Sequence, residues 1–137
     1  MKALIVDDDL INRKFLKAML MGICEVDLAK SGYEAIDLVK ASIEEAATYD
    51  VIFLDIMMPD LDGIETLQEI RNHEVKKGIP FEKGAKIVMV TALADKENVL
   101  SAFSKGCEYY LVKPIQQGKM FDLLKEMGFG PIETESW

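Results

Sequence analysis

The 137-residue chain is half hydrophobic and 29% charged, a balance that suits one globular domain with a single sizeable core. Its net charge of −8 argues against direct contact with nucleic acid, because no basic stripe is available to displace counterions. No apolar run approaches the roughly 20 residues that span a bilayer. MKALIVDDDL also lacks the apolar stretch and cleavage site of a secretory leader, so a cytoplasmic protein without membrane insertion is expected.

In chain order, residues 2–6 (KALIV) read as an apolar strand that stops at Asp7-Asp8-Asp9. Ile11, Phe15, Ala18 and Met19 recur at helical spacing up to Gly22. Residues 23–28 (ICEVDL) alternate as a strand. Ser31 with Glu34 three residues on predicts a capping box, followed by a helix with Ile36, Val39 and Ile43 inward. Residues 50–54 (DVIFL) form a second apolar strand, and Met58-Pro59-Asp60-Leu61-Asp62-Gly63 breaks it as a loop. Ile64, Leu67 and Ile70 mark the next helix.

The polar stretch 72–86 reads as a long connection. Residues 86–91 (KIVMVT) are a strand and 95–105 a helix with Val99, Leu100 and Phe103 inward. Residues 108–112 (EYYLV) are the last strand. Residues 116–127 close the domain through Met120, Phe121, Leu124 and Met127. The expected division is one domain over 1–128 and a mobile tail over 129–137, since the tail shows no periodicity.

Five strand–helix pairs in strict alternation imply an α/β fold, a five-stranded parallel sheet doubly wound by five helices. In such sheets the site lies at the carboxyl ends of the strands, near the topological switch point. Asp7, Asp55, Thr91 and Lys113 all fall there. Each alone has a bland reading. An acidic run is commonly a solvated turn, a terminal Thr a cap and a Lys a surface charge. An acid directly after the apolar run VIFL is harder to dismiss.

Together these residues suit phosphoryl transfer to a carboxylate. Asp55 can act as the nucleophile. Asp7 and Asp8 with Asp55 offer oxygen ligands of the kind Mg²⁺ takes. Lys113 supplies a fixed positive charge and Thr91 a hydroxyl donor toward phosphoryl oxygens.

VDDD at 6–9, LDIMMPDLDG at 54–63, VTA at 90–92, Tyr110 and Lys113-Pro114 resemble the receiver domain of two-component response regulators, the chemotaxis-type fold. The resemblance spans residue 2 to about 127. It implies the flavodoxin-like strand order 2-1-3-4-5, Asp55 as phosphoacceptor and Asp7 and Asp8 as the metal pocket. It further implies the Met57 carbonyl as another Mg²⁺ ligand, Thr91 and Tyr110 as a switch pair, Lys113 on the phosphate and a cis peptide before Pro114. The implied partners are a sensor histidine kinase or a histidine phosphotransfer protein, and an unknown downstream protein.

Met57 and Leu93 stand where such domains often carry polar groups that orient attacking water, so a long-lived phosphoryl group is expected. The lone His73 lies in a polar stretch and is expected to be solvated, which argues against a histidine phosphotransfer role for this chain. No second domain is expected after residue 127, so output should run through protein contact. Lys76, Lys77, Lys83 and Lys86 offer one surface for it.

Other readings compete. A phosphorelay intermediate or a receiver that docks without phosphorylation uses the same residues. A haloacid dehalogenase-type phosphatase would use Asp7 as nucleophile and Asp9 as acid/base, but leaves Asp55 without a task and has Ile11 where that family has Thr or Val. A flavodoxin-like cofactor binder would set three carboxylates against its own phosphate. Cys24 and Cys107, far apart and without a C-x-x-C pairing, read as reduced structural thiols.

Overall fold

A computed structural model describes residues 1–92 and 96–129. Five parallel strands, β1 (Lys2–Val6), β2 (Glu25–Ala29), β3 (Val51–Asp55), β4 (Lys86–Thr91) and β5 (Tyr109–Val112), lie in the order β2-β1-β3-β4-β5. The helices are α1 (Leu10–Leu20), α2 (Gly32–Glu44), α3 (Gly63–Lys76), α4 (Lys96–Ser104) and α5 (Gln117–Glu126). The order reverses direction at β1, so β1 and β3 open the crevice in which such sheets bind ligands. The mobile tail expected over 129–137 lies, from residue 130 on, outside the described residues.

The side-chain period of two divides the apolar strands between two cores. Ala3, Ile5, Val51, Phe53, Val88 and Val90 face one side with Leu16, Leu20, Met120 and Leu124 of α1 and α5. Leu4, Val6, Ile52, Leu54, Ile87 and Met89 face the other with Val39, Leu67, Ile70 and Val99 of α2, α3 and α4. Both faces of the central strands are therefore dry, and β3 is buried along its whole length.

Two helical stripes differ from expectation. On α1 the buried residues are Leu16, Met19 and Leu20, whereas Ile11 is 75% exposed and Phe15 and Ala18 are exposed too. On α4, Val99 and Ala102 are buried, whereas Leu100 is 77% exposed and Phe103 faces solvent. Apolar residues at helical spacing mark a face without saying what covers it.

The helix starts also redistribute the caps. The Ser31 hydroxyl accepts the Glu34 N–H at 3.1 Å, but the Glu34 carboxylate takes the Lys30 N–H at 3.4 Å, so the box is not reciprocal. The reciprocal box is at α3. Asp62 accepts the Glu65 N–H at 2.8 Å and Glu65 accepts the Asp62 N–H at 3.2 Å.

The 72–86 stretch is not one long connection. Helix α3 continues to Lys76, ends with Gly78 at φ +72°, and a short 3₁₀ turn follows at Phe81–Lys83. Its polarity hides a buried ion network. Arg71 donates to Glu74 Oε1 at 2.7 Å, to the Ala85 carbonyl at 2.8 Å, to the Gly106 carbonyl at 2.9 Å and to Glu108 at 3.2 Å. Glu108 also meets Lys86 at 3.2 Å, and separately, at the surface, Lys77 meets Glu44 at 2.7 Å. Two of the four lysines expected on a partner surface are thus engaged within the chain.

His73 is not fully solvated. It is partly buried, its Nε2 receives no partner, and burial, then Lys40 and Lys77, hold its pKa below the ordinary value. Cys24 and Cys107 are free thiols, both pushed up by burial and Cys107 to about 11. That suits inert thiols.

Candidate functional site

The carboxyl ends of β1, β3 and β4 and the β5–α5 turn meet in a cleft of about 250 Å³ lined by Asp7, Asp8, Asp9, Asn12, Asp55, Met57, Ala92 and Lys113. Asp7 directly follows the last residue of β1 and Asp55 is the last of β3, so both carboxylates start from rigid backbone. Asp55 is only 5% exposed. One oxygen each from Asp7, Asp8 and Asp55 lie within 4.8 Å of one another.

The loop after β3 is bent tightly over Asp55. The Gly63 N–H donates to the Ile56 carbonyl at 2.8 Å. A Cβ at Gly63 would overlap the Asp55 carbonyl and come within 2.7 Å of Ile56 Cα. Only glycine lets α3 begin so close to the strand end. Asp60, at φ +68°, takes the left-handed conformation inside this loop.

Lys113 reaches the acids from the opposite wall. Its Nζ lies 3.2 Å from Asp55 Oδ1 and 3.3 Å from Asp7 Oδ2. Its backbone N–H donates to the Thr91 carbonyl at 2.8 Å, and the Lys113–Pro114 peptide is cis. Burial alone would lower the Lys113 pKa, but Asp55 and Asp7 outweigh it, and the ammonium is held above its ordinary range. Asp55 shows the converse. Burial first, then the Asp7 charge, push its carboxyl to about 6 against the pull of Lys113.

The cleft therefore holds more negative charge than one lysine balances. Asp7 Oδ2 is buried and makes no hydrogen bond of good geometry among the described residues; it faces only the Lys113 ammonium at 3.3 Å, which Asp55 shares. A buried carboxylate oxygen that shares one ammonium with a second acid, among three hard oxygen donors, is the chemistry a Mg²⁺ ion would satisfy. Asp7, Asp8 and Asp55 fit that ion. Met57 lines the same cleft with its side chain 60% exposed.

Thr91 ends β4 and is buried, but its hydroxyl donates to the Ala92 carbonyl at 3.0 Å. Tyr110 is on β5, 47% exposed, with its ring edge-on to Phe103 at 6.1 Å. Leu93, expected to act with Met57, lies outside the described residues. Asp9 is the N-cap of α1, accepting the Ile11 N–H at 2.8 Å. A helix cap leaves it poorly placed as the acid/base of a dehalogenase-type phosphatase. One lining group, Asn12, was not foreseen and carries no signal of its own in the sequence, whereas Ala92 lay in the VTA motif without a role assigned to it.

A family profile described as response regulator receiver domain matches residues 3–125. The chain belongs to that family. It is 38% identical over 128 residues to hybrid signal transduction histidine kinase L of Dictyostelium discoideum, which covers 93% of this chain and 7% of that protein. It is 31% identical over 127 residues to the chemotaxis protein CheY of Halobacterium salinarum, covering 92% and 95% of the two chains. The chain thus spans less than a tenth of the hybrid kinase but nearly the whole of CheY.

Among solved structures, the receiver domain of the histidine kinase CKI1 from Arabidopsis thaliana, complexed with Mg²⁺ and BeF3⁻, matches with TM-score 0.77 and 30% identity over 93% of this chain and 89% of that one. The co-crystal of the Saccharomyces cerevisiae histidine phosphotransfer protein Ypd1 with the receiver domain of its response regulator Ssk1 matches with TM-score 0.78 and 31% identity over 93% and 88%. The flavodoxin-like order and the family assignment read from the sequence are borne out. No helix among the described residues is long and apolar enough to cross a membrane.

Proposed function

We propose that this chain accepts a phosphoryl group on Asp55 from a phosphohistidine and uses it to change the face built by α4, β5 and α5. One observation carries the reading. Asp55 sits rigidly at a buried strand end, 3.2 Å from an ammonium and within 4.8 Å of two further carboxylates. An Asp55 carboxylate oxygen attacks phosphorus, the donor's P–N bond breaks, and its electron pair returns to the imidazole. Phosphoryl transfer of this kind depends on positioning and charge neutralisation. The chain is thus a phosphoacceptor rather than a turnover enzyme.

Asp7, Asp8, Asp55 and the Met57 carbonyl would hold Mg²⁺, which offsets repulsion between the carboxylates and the incoming phosphate. Lys113 moves its charge from carboxylate to phosphoryl oxygen within the same cleft. The Thr91 hydroxyl leaves the Ala92 carbonyl and donates to a phosphoryl oxygen. Tyr110 then turns inward, and the exposed Leu100, Phe103 and Tyr110 are rearranged as a docking surface. Phosphorylation so biases a two-state element.

The donor must approach within bonding distance of Asp55 and so covers the rim of the cleft. That rim is apolar, with Ile11, Phe15, Pro114 and Ile115 lining an adjoining groove of about 430 Å³ that shares Asp7 and Lys113. Likeness to hybrid-kinase receivers and to a receiver co-crystallised with Ypd1 favours a sensor kinase or histidine phosphotransfer protein as donor, with the chain serving in a phosphorelay.

The test is intact-mass spectrometry after incubation with acetyl phosphate or phosphoramidate, with and without Mg²⁺. One Mg²⁺-dependent phosphoryl adduct is expected. No adduct from either donor or from a phosphorylated histidine phosphotransfer protein would leave a receiver that docks without phosphorylation.

A further inference from the structure

The acidic loop is held by a residue that the phosphoryl chemistry above does not use. β2 ends at Ala29, paired in register with Val6, and the Asp7 N–H makes one further bond to the Ala29 carbonyl at 3.1 Å. The Asp7 carbonyl lies beyond the ladder. Arg13 reaches back from α1 and donates to it through one guanidinium nitrogen at 2.6 Å. The rest of the loop is tied to the same helix turn. The Asp9 N–H donates to Asp7 Oδ1 at 2.9 Å, Asp9 caps the Ile11 N–H, and the Arg13 N–H donates to the Asp9 carbonyl at 3.0 Å.

From these contacts we infer that Arg13 is a positioning residue for the divalent-cation site. Its guanidinium fixes the plane of the Asp7–Asp8 peptide, and that plane sets the directions in which the two flanking carboxylates leave the backbone. Asp7 is buried and Asp8 exposed, so they converge on one ion only if the peptide between them holds its orientation. Groups that orient metal ligands from outside the coordination sphere commonly change affinity by about 10–100-fold when removed.

The charge of Arg13 acts in the opposite sense. A fixed cation beside a Mg²⁺ site weakens binding by repulsion, so its removal on charge grounds alone would tighten the site. The sign of the change therefore separates positioning from electrostatics.

The inference rests on the Mg²⁺ site proposed above, and calorimetric titration of the full chain with MgCl2 distinguishes the two. Wild type, Arg13→Met (stem kept, donors and charge lost) and Arg13→Lys (charge and one donor kept) are compared, with urea midpoints confirming the fold. Arg13→Met is expected to bind Mg²⁺ about tenfold or more weaker than wild type, with Arg13→Lys in between. Phosphoryl uptake by Arg13→Met should recover at saturating Mg²⁺, a split that a general loss of structure would not give. Equal or tighter binding by Arg13→Met, or Arg13→Lys weaker than Arg13→Met, would overturn the role of Arg13 while leaving the site. No binding by wild type would remove both.

Discussion

Replacing the proposed phosphoacceptor should stabilise the protein. Asp55 has its carboxyl raised from 3.8 to about 6, by burial first and then by Asp7. At about 1.36 kcal/mol per pH unit, that rise corresponds to about 3 kcal/mol of ionisation disfavoured in the folded state at neutral pH. The native state holds the proton more tightly than the unfolded chain, so stability falls as pH rises from about 4 to about 6 and stays reduced above that. Asp55→Asn removes the charge in a nearly isosteric side chain. The attraction of Lys113 is already contained in that rise, so the net gain at neutral pH is about 3 kcal/mol.

With an unfolding entropy of about 2.1 cal/mol/K per residue over 137 residues, that gain is a rise in Tm of about 10 °C. The assay is urea denaturation in EDTA at pH 7.5 and pH 4.5. The gain at pH 4.5 should be about one-third of that at pH 7.5, because most of the native carboxyl is already protonated there. Added Mg²⁺ should stabilise wild type by mass action and the variant much less. A variant no more stable than wild type at pH 7.5, or a gain independent of pH, would refute the reasoning.

Arg71→Ala should cost about 3–5 kcal/mol in urea unfolding, because it leaves Glu74 and Glu108 without their buried guanidinium partner; a cost under 1 kcal/mol would show that water replaces it. Gly63→Ala should lower both stability and phosphoryl uptake, since its Cβ overlaps the Asp55 carbonyl, and wild-type uptake by the variant would contradict the tight loop. Met57, exposed at the mouth of the cleft, offers no group to orient water. Met57→Asn should therefore shorten the lifetime of the phosphoryl group by about tenfold or more, read by loss of the mass adduct with time.

The sheet and the strand-end residues were legible because they rest on strong signals. Apolar runs of about five residues stop at acids, at Thr91 or at Lys113, and alternation with helical segments fixes a parallel sheet. The misreadings share a physical cause. Ile11, Phe15, Leu100 and Phe103 have the spacing of a buried stripe, yet spacing cannot tell a core face from one left for a partner. Residues 72–76 looked like loop because Glu74 is polar, but a paired carboxylate can be buried. Arg13 could not be found from sequence, since its role depends on where a long side chain meets one backbone carbonyl. The directions of the Thr91 hydroxyl and the Tyr110 ring were not legible either, since a strand position fixes where a side chain starts and not which rotamer it takes.

The central claim is that phosphate arrives on Asp55 and nowhere else. Borohydride reduces an aspartyl phosphate to homoserine, so peptide mapping after phosphoramidate, Mg²⁺ and borohydride places the group on one residue. Homoserine at position 55 in wild type, and none anywhere in Asp55→Asn, is the predicted result. Homoserine at Asp7 or Asp8, or undiminished phosphoryl uptake by Asp55→Asn, would contradict the account.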